Sequence, residues 1–558
     1  MKNKFSLQSA QSKFINYNKK LSYLGLVFAL IFFLLSLLPS LLPRPWLYQG
    51  LISGVSIAIG YGLGVLTSKV VRWFLEGEIP ENTKNIAWKI LVIAGPILTI
   101  TFLFLGASWQ NQVRELLTEP PLQGRHMIRI LFLSLVIFIL IISIARFIRK
   151  LTSWLNKIFL KFVSKKVGIL ISVGTILVFS TLVINGVFIK TFVGQSNNIY
   201  NAKNNTTPAG ISQPTSPYRS GSPESLIPWE TLGYQGQNFV SRGPNQTQLQ
   251  AFGSSSPKEQ IRIYAGINSA SNSRERAKLA VAELKRTDAF TRKVLIVATA
   301  TGTGWLEPQS VDSLEYMYSG DSAIVSQQYS YLPSWISFLV DQENATSAGQ
   351  ELFNAVYAEW SSLPKNQRPK LIVYGLSLGS YGGQSAFTGA NNITSLVDGA
   401  LFMGTPSSTT LWKNITSARD QGSPEWQPIY QNGKSVRFAA TNEDIEKNQN
   451  NWSFPRILYM QHASDPVVWF NFDLILSKPD WLKEPRGPDV SKNMHWYPFI
   501  TFLQVTVDQF FGVTVPNGHG HNYPNTIVDA WGAVIPPENW NTAKATQLQN
   551  IINSYSNE

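Results

Sequence analysis

The chain has 558 residues, with 47 Lys and Arg against 34 Asp and Glu for a net charge of +13, and no cysteine. This length is too great for one compact core, so two or more domains are expected. The lack of cysteine excludes disulfide bonds, zinc–thiolate sites and thiol catalysis.

The positive charge is concentrated in the N-terminal part of the chain. Residues 1–195 carry 21 Lys and Arg but only 5 Asp and Glu, and the remaining residues are slightly acidic. The basic residues flank apolar stretches, which is typical of a membrane protein. This distribution argues against nucleic acid as a partner.

Five apolar stretches in this part are predicted to cross a lipid bilayer as helices. They are residues 23–42, 46–67, 86–109, 130–145 and 167–188. A helix needs about 20 residues to cross the ~30 Å hydrocarbon layer, and the fourth stretch is shorter than this. Small residues four apart in the second stretch, such as Gly60 and Gly64, predict close packing against a neighbouring helix.

The distribution of Lys and Arg also predicts an orientation. The head before the first stretch and the connections after the second and fourth stretches are the most basic, so they are expected in the cytoplasm. An odd number of spans then places the rest of the chain on the outer side. We expect a multi-pass membrane protein with a transmembrane domain at 1–194, a flexible linker rich in Asn, Ser, Thr, Pro and Gly at 195–226, and a second domain at 227–558.

The second domain alternates strand and helix patterns. Strands are predicted at 261–265, 293–298, 371–374, 397–403 and 456–461, and helices at 274–285 and 346–360. This alternation is what a parallel sheet flanked by helices requires. The predicted fold class is therefore an α-helical transmembrane bundle followed by an α/β-hydrolase-like domain with a mostly parallel sheet.

A serine between two glycines follows the third of these strands. In the segment Gly375-Leu376-Ser377-Leu378-Gly379, the pattern is that of a nucleophile elbow, in which the serine occupies a strained turn between a strand and a helix. Ser377 would be the nucleophile, and Gly375 and Gly379 would leave room for the neighbouring chain. The alternative interpretation is an ordinary turn.

A serine nucleophile needs a histidine base and an acid, expected in the order Ser, acid, His. Asp465 follows the strand at 456–461 and fits the acid, although an Asp-Pro turn is the alternative. The Gly-rich loop at 516–524 contains both His519 and His521. His521 is the preferred base because its surroundings resemble the histidine loop of some polyester-degrading hydrolases, and His519 is the rival. A metal site made of His519, His521 and Asp465 lacks a further convergent ligand, so no metal or cofactor is expected.

The reaction also needs two backbone N–H groups that stabilise the oxyanion. Leu378, the residue after the nucleophile, is expected to supply one of them. The loop after the second strand, near Thr301 and Gly302, is expected to supply the other, with a simple glycine turn as the alternative.

Four segments are typical of one known family: Thr301-Gly302-Thr303-Gly304-Trp305, the elbow, Asp465-Pro466 and Gly518-His519-Gly520-His521. In these segments the chain resembles the bacterial membrane-anchored α/β-hydrolases. These have an N-terminal multi-span domain and a C-terminal catalytic domain. Leu376 stands where such elbows often carry an acid. The residues and the resemblance together predict a serine esterase or lipase acting on a lipid or acylated envelope component at the outer face of the inner or plasma membrane. An acyltransferase with the same triad and a non-catalytic membrane scaffold are the alternatives, and no oligomeric state is indicated.

Overall fold

The computed structural model of the chain describes residues 21–74, 80–124, 126–159, 174–175, 181, 190–447 and 452–555. These residues belong to two compact units. The first, called here the helical unit, consists of Met1–Ile184, Phe472–Leu482 and Val490–Asp508. The second, called here the sheet unit, consists of Asn185–Asn471, Lys483–Asp489 and Gln509–Glu558.

The helices and strands follow one another along the chain, apart from short 3₁₀ turns. The helices are α1 (Tyr23–Ser36), α2 (Trp46–Phe74), α3 (Glu81–Leu116), α4 (His126–Phe159), α5 (Lys190–Asn204), α6 (Gly233–Ser241), α7 (Gln246–Ala251), α8 (Ser273–Arg286), α9 (Pro308–Met317), α10 (Ser334–Val340), α11 (Gln342–Ser362), α12 (Leu378–Gly383), α13 (Ala390–Leu396), α14 (Thr410–Ser417), α15 (Asn442–Glu446), α16 (Pro466–Trp469), α17 (Ile500–Asp508), α18 (Ile527–Val534) and α19 (Thr542–Tyr555). The strands are β1 (Ile261–Ala265), β2 (Val294–Thr299), β3 (Ser322–Gln327), β4 (Lys370–Leu376), β5 (Gly399–Met403), β6 (Val436–Ala439) and β7 (Arg456–Met460).

Three helices of the helical unit, α2, α3 and α4, are long and apolar enough to cross a membrane. The first predicted span is wrong in length, because α1 has only 14 residues, or about 21 Å of helix. Pro39 and Pro43 follow α1, and proline lacks the N–H that would continue the helix. The fifth predicted span, at 167–188, falls almost entirely outside the described residues. Of the four predicted spans that fall in the described part of the chain, three correspond to candidate spans.

Small residues of α2 let two other helices approach closely. A Cβ added to Gly64 would lie 2.8 Å from the Cα of Gly25 in α1, and one added to Gly54 would lie 2.6 Å from the Cβ of Ile137 in α4. Real side chains do not approach so closely, so larger residues at these positions would force the helices apart. The predicted close packing of the second stretch is thus present inside the helical unit.

A segment from the C-terminal half of the chain completes the helical unit. The buried Asp508 carboxylate, at the end of α17, accepts hydrogen bonds from the Ser40 hydroxyl at 2.5 Å and the Leu41 N–H at 3.2 Å. It also lies 3.7 Å from the buried guanidinium of Arg44. Removing one partner would leave an uncompensated buried charge, which is costly. The helical unit is therefore discontinuous in sequence, whereas the sequence predicts a transmembrane domain that ends at residue 194.

The sheet unit has one sheet of seven strands in the order β1-β3-β2-β4-β5-β7-β6, and all neighbouring strands are parallel. Helices cover it in two groups, one with α8, α11 and α12 in contact with one another or with the sheet, and one with α9, α18 and α19. Because the strands are parallel, their carboxyl ends share one edge. The loops after β2, β4 and β7 leave from that edge and carry the predicted oxyanion loop, Ser377 and Asp465.

The predicted linker at 195–226 differs from the structure. Much of its first half is helix α5, and a later part adds a short parallel bridge between Arg219 and Arg262 of β1. The N–H of the fully buried Ser220 donates to the carbonyl of Arg262 at 3.1 Å. The carboxamide of Asn204 accepts a hydrogen bond from Gln328 at 2.9 Å. The short polar side chains that suggested disorder here make hydrogen bonds to the sheet unit instead.

Candidate active site

The predicted nucleophile occupies a strained turn between β4 and α12. Ser377 has φ = 56° and ψ = −123°, a conformation that residues other than glycine rarely adopt. Its N–H donates to the carbonyl of Met403 at 2.8 Å, which ties the turn to the end of β5. This combination of strand, strained serine and helix is the geometry of a nucleophile elbow.

The two glycines of the elbow are required by space. A Cβ on Gly375 would lie 2.5 Å from the carbonyl oxygen of Gly379. A Cβ on Gly379 would overlap the carbonyl oxygen of Thr299 at the end of β2. Both positions therefore allow α12 to pack directly against the strand ends, as the sequence predicts.

Asp465 and His521 form a buried pair beside this turn. The Nδ1 atom of His521 lies 2.7 Å from Oδ2 of Asp465, and the carboxylate is fully buried. Asp465 also accepts hydrogen bonds from the Val467 N–H at 2.8 Å and the Tyr523 hydroxyl at 2.6 Å. These bonds fix the carboxylate and favour the His521 tautomer with its proton on Nδ1. The other ring nitrogen, Nε2, is buried and has no hydrogen-bond partner in the part of the chain that the structure describes.

Gly404, directly after β5, gives the imidazole its space. This glycine has φ = 53°, and a Cβ there would lie 2.7 Å from Nδ1 of His521 and 3.1 Å from Oδ2 of Asp465. Any side chain at this position would press against the hydrogen bond that joins the two residues. The end of β5 is thus shaped around the pair.

His519 belongs to a different polar cluster. Its Nδ1 lies 3.6 Å from Oδ2 of Asp489, which accepts the hydroxyl of Ser464 at 2.5 Å. Burial tends to raise the pKa of Asp489, but the neighbouring His519, the hydrogen bond from Ser464 and the charge of His462 outweigh it and lower this pKa. Ser464 in turn accepts the Gly520 N–H at 2.8 Å, so the cluster anchors the loop that carries His521.

This separation of the histidines bears on the alternative metal site. His521 is bonded to Asp465, whereas His519 is paired with Asp489. Among the residues that the structure describes, no group of three His, Cys, Asp or Glu could hold a metal ion.

The predicted oxyanion donors differ in whether their N–H groups are available. The Thr301 N–H already donates to the carbonyl of Trp305 at 3.0 Å. The N–H groups of Gly302 and of Leu378, the first residue of α12, have no acceptor within the described ranges. In this conformation the Thr301 N–H is therefore engaged, and the N–H groups of Leu378 and Gly302 remain the candidate oxyanion donors.

A cavity of about 460 Å³ joins these elements. Ser377, Leu378, Thr301 and His521 all line it. Most of the remaining wall is apolar and includes Trp305, Phe338, Met403, Val467, Phe510 and Ile527. A cavity of this size with apolar walls and a few polar groups suits a small ligand or an acyl chain.

Two polar residues of the site were not predicted from the sequence. Tyr523, whose hydroxyl binds Asp465, lies two residues after His521, and its place in the histidine loop was the available signal. Glu307 lines the cavity from the loop between β2 and α9. Its position before Pro308 indicates a helix start, which gives no sign of a place in the cavity.

Two family models match this sequence. One, described as an alpha/beta-hydrolase family, matches residues 261–548, and the other, described as the N-terminus of an alpha/beta-hydrolase family, matches residues 37–244. No curated protein and no solved structure matches the chain.

Proposed function

The chain belongs to the alpha/beta-hydrolase family, and we propose that it is a membrane-anchored serine esterase or lipase acting on a lipid or acylated envelope component at the outer face of the membrane. The family supports a hydrolase-type function. The observation that carries the finer proposal is the arrangement of three side chains. Ser377 lies at a strained turn on the cavity that His521 also lines, and His521 is bonded to the buried Asp465.

The chemistry follows from this arrangement. Nε2 of His521 takes the proton of Ser377 as Oγ attacks the carbonyl carbon of an ester, and Asp465 stabilises the imidazolium through Nδ1–H. The N–H groups of Leu378 and Gly302 would bind the developing oxyanion. His521 then returns the proton to the departing alcohol, which leaves an acyl group on Ser377. Water activated by His521 releases the acid and restores the enzyme.

Two features support a lipid or an acylated substrate. The cavity wall is mainly apolar, so it favours a hydrocarbon chain over a polar acid. The helical unit contains three helices long and apolar enough to cross a membrane, which would hold the enzyme where acylated components are present. A basic N-terminal head supports the proposed orientation with the N-terminus in the cytoplasm.

The proposal is tested by labelling the purified full-length protein with a fluorophosphonate, which reacts with activated serines. The wild-type protein should be labelled, and Ser377→Ala should lose both the label and ester hydrolysis while still inserting into membranes. Ser395→Ala removes an exposed serine of the sheet unit and should change neither. Labelling that persists in Ser377→Ala would rule out Ser377 as the nucleophile.

A further inference from the structure

The cavity beside Ser377 contains a single acidic side chain. Among the residues described as lining it, Glu307 is the only Asp, Glu, Lys or Arg. Glu307 is largely buried, and its Oε1 accepts the N–H of Gln309 at 3.3 Å. No basic residue of the cavity wall balances it, so its charge acts on whatever enters the cavity.

The surroundings of Glu307 oppose its negative charge. Burial raises the pKa of Glu307 to about 7, with a further contribution from the nearby negative charge of Asp312 in α9. The guanidinium of Arg262 does not relieve this, because it is bonded to Asp312 at 2.6 Å and to Glu315 at 2.7 Å. Glu307 is therefore neutral in weakly acidic solution and charged in weakly basic solution.

The other titratable groups around Glu307 come from different elements. Tyr374 of β4 faces it, and burial, followed by the charge of Glu307, raises the pKa of Tyr374. His521 and Tyr523 line the same cavity. The nearby part of α18 contributes Ile527 to the wall and Trp531, whose indole N–H donates to the carbonyl of Ser310.

We propose that Glu307 restricts the cavity to esters whose bound part carries no negative charge, so that the substrate is a neutral or cationic ester rather than an anionic one. This inference rests on the proposed function, because it concerns the substrate of the same serine. Two charges within about 10 Å at the effective dielectric of a protein, about 20, interact strongly enough to change affinity tenfold or more. Protonation of Glu307 would remove this discrimination.

The experiment compares two esters with acyl chains of equal length, 4-nitrophenyl hexanoate and the mono-4-nitrophenyl ester of adipic acid. The second carries a carboxylate at the far end of its acyl chain throughout the range used. The ratio of kcat/KM for the neutral over the anionic ester is measured from pH 6 to pH 8.5 on the full-length protein, with Ser377→Ala as the blank for spontaneous hydrolysis. Any pH dependence of the serine chemistry itself is shared by the two esters and cancels in the ratio.

The direction in which the ratio changes with pH follows from the raised pKa of Glu307. Glu307 gains its charge as the pH rises through about 7, so the ratio should increase at least tenfold between pH 6 and pH 8.5. In Glu307→Gln, which keeps an acceptor for the Gln309 N–H, the ratio should stay low and independent of pH. Glu230→Gln removes the same charge from an exposed position and should behave as the wild type.

The outcomes separate this inference from the proposed function. If the wild type neither hydrolyses an ester nor reacts with fluorophosphonate, the proposed function fails. If it does both but the ratio is constant with pH, Glu307 does not select by charge, and this result holds whether or not Glu307→Gln folds. A wild-type pH dependence that persists in a Glu307→Gln protein that still reacts with fluorophosphonate would also overturn the inference.

Discussion

Replacing Gly404 by alanine should disable the proposed active site without removing any catalytic group. The added Cβ would lie 2.7 Å from Nδ1 of His521, whereas ordinary contacts between such atoms are about 3.5 Å or longer. The imidazole or its loop must therefore move by about 1 Å. A misplacement of that size can reduce a rate about 100-fold, so we expect kcat/KM and the rate of fluorophosphonate labelling to fall by about this factor.

The effect of backbone strain at position 404 has to be distinguished from the effect of displacing the His521 imidazole. Gly404 has φ = 53°, and alanine in that conformation costs about 1–2 kcal/mol of stability. Gly210 has φ = 74° and no atom within 4 Å of the added Cβ, so Gly210→Ala has a similar backbone cost without the collision. Gly210→Ala should lose only the stability that this backbone strain costs and should keep its activity, whereas Gly404→Ala should lose at least as much stability in denaturant unfolding and its activity as well. A folded Gly404→Ala protein with kcat/KM within threefold of the wild type would refute the reasoning.

Two further predictions concern the base and the topology. His521→Ala should lower kcat by several orders of magnitude with little change in KM, because its proton transfer occurs only in the transition state. His519→Ala should cost about fivefold, equivalent to about 1 kcal/mol for the lost contact with Asp489 in the cluster that anchors the loop, and the reverse pattern in steady-state kinetics would make His519 the base. Since the chain has no cysteine, single cysteines can report the topology in intact cells: Glu230→Cys should react with a membrane-impermeant maleimide and Lys4→Cys should not. Labelling of the cysteine at position 4 alone would reverse the proposed orientation.

The parts of the sheet unit that were predictable are those with strong local signals. β2 and β4 are runs of Val, Leu and Ile that fit buried strands, and the elbow after β4 is a spacing of glycines that the geometry of the turn requires. The two strands that were missed lack such signals. β3 begins with Ser322 and ends with Gln327, whose amide donates to the Ala348 carbonyl at 2.8 Å in the buried interior. β6 has only four residues and includes Arg437, whose guanidinium lies over the ring of Trp452.

In the candidate site, too, the features with local sequence signals were predictable and those that depend on the fold were not. The sequence order of Ser377, Asp465 and His521 predicts a triad, and the structure places the last two within hydrogen-bond distance. The choice between the two histidines depended on a resemblance, because both lie in one loop and only the fold determines which ring meets which carboxylate. Glu307 could not be found at all, since its role depends on a cavity formed by residues from distant parts of the sequence.

The composition of the helical unit has a practical consequence for anyone who wishes to work with a water-soluble fragment. A chain that starts at Lys190 would keep α17 but lose Ser40, Leu41 and Arg44, the groups that satisfy the Asp508 carboxylate. That fragment would carry an orphaned acid and an uncovered apolar helix in the stretch between Asp465 and His521. A single cut in the gene therefore does not separate the sheet unit from the helical unit, and a soluble fragment needs residues 472–508 redesigned as well.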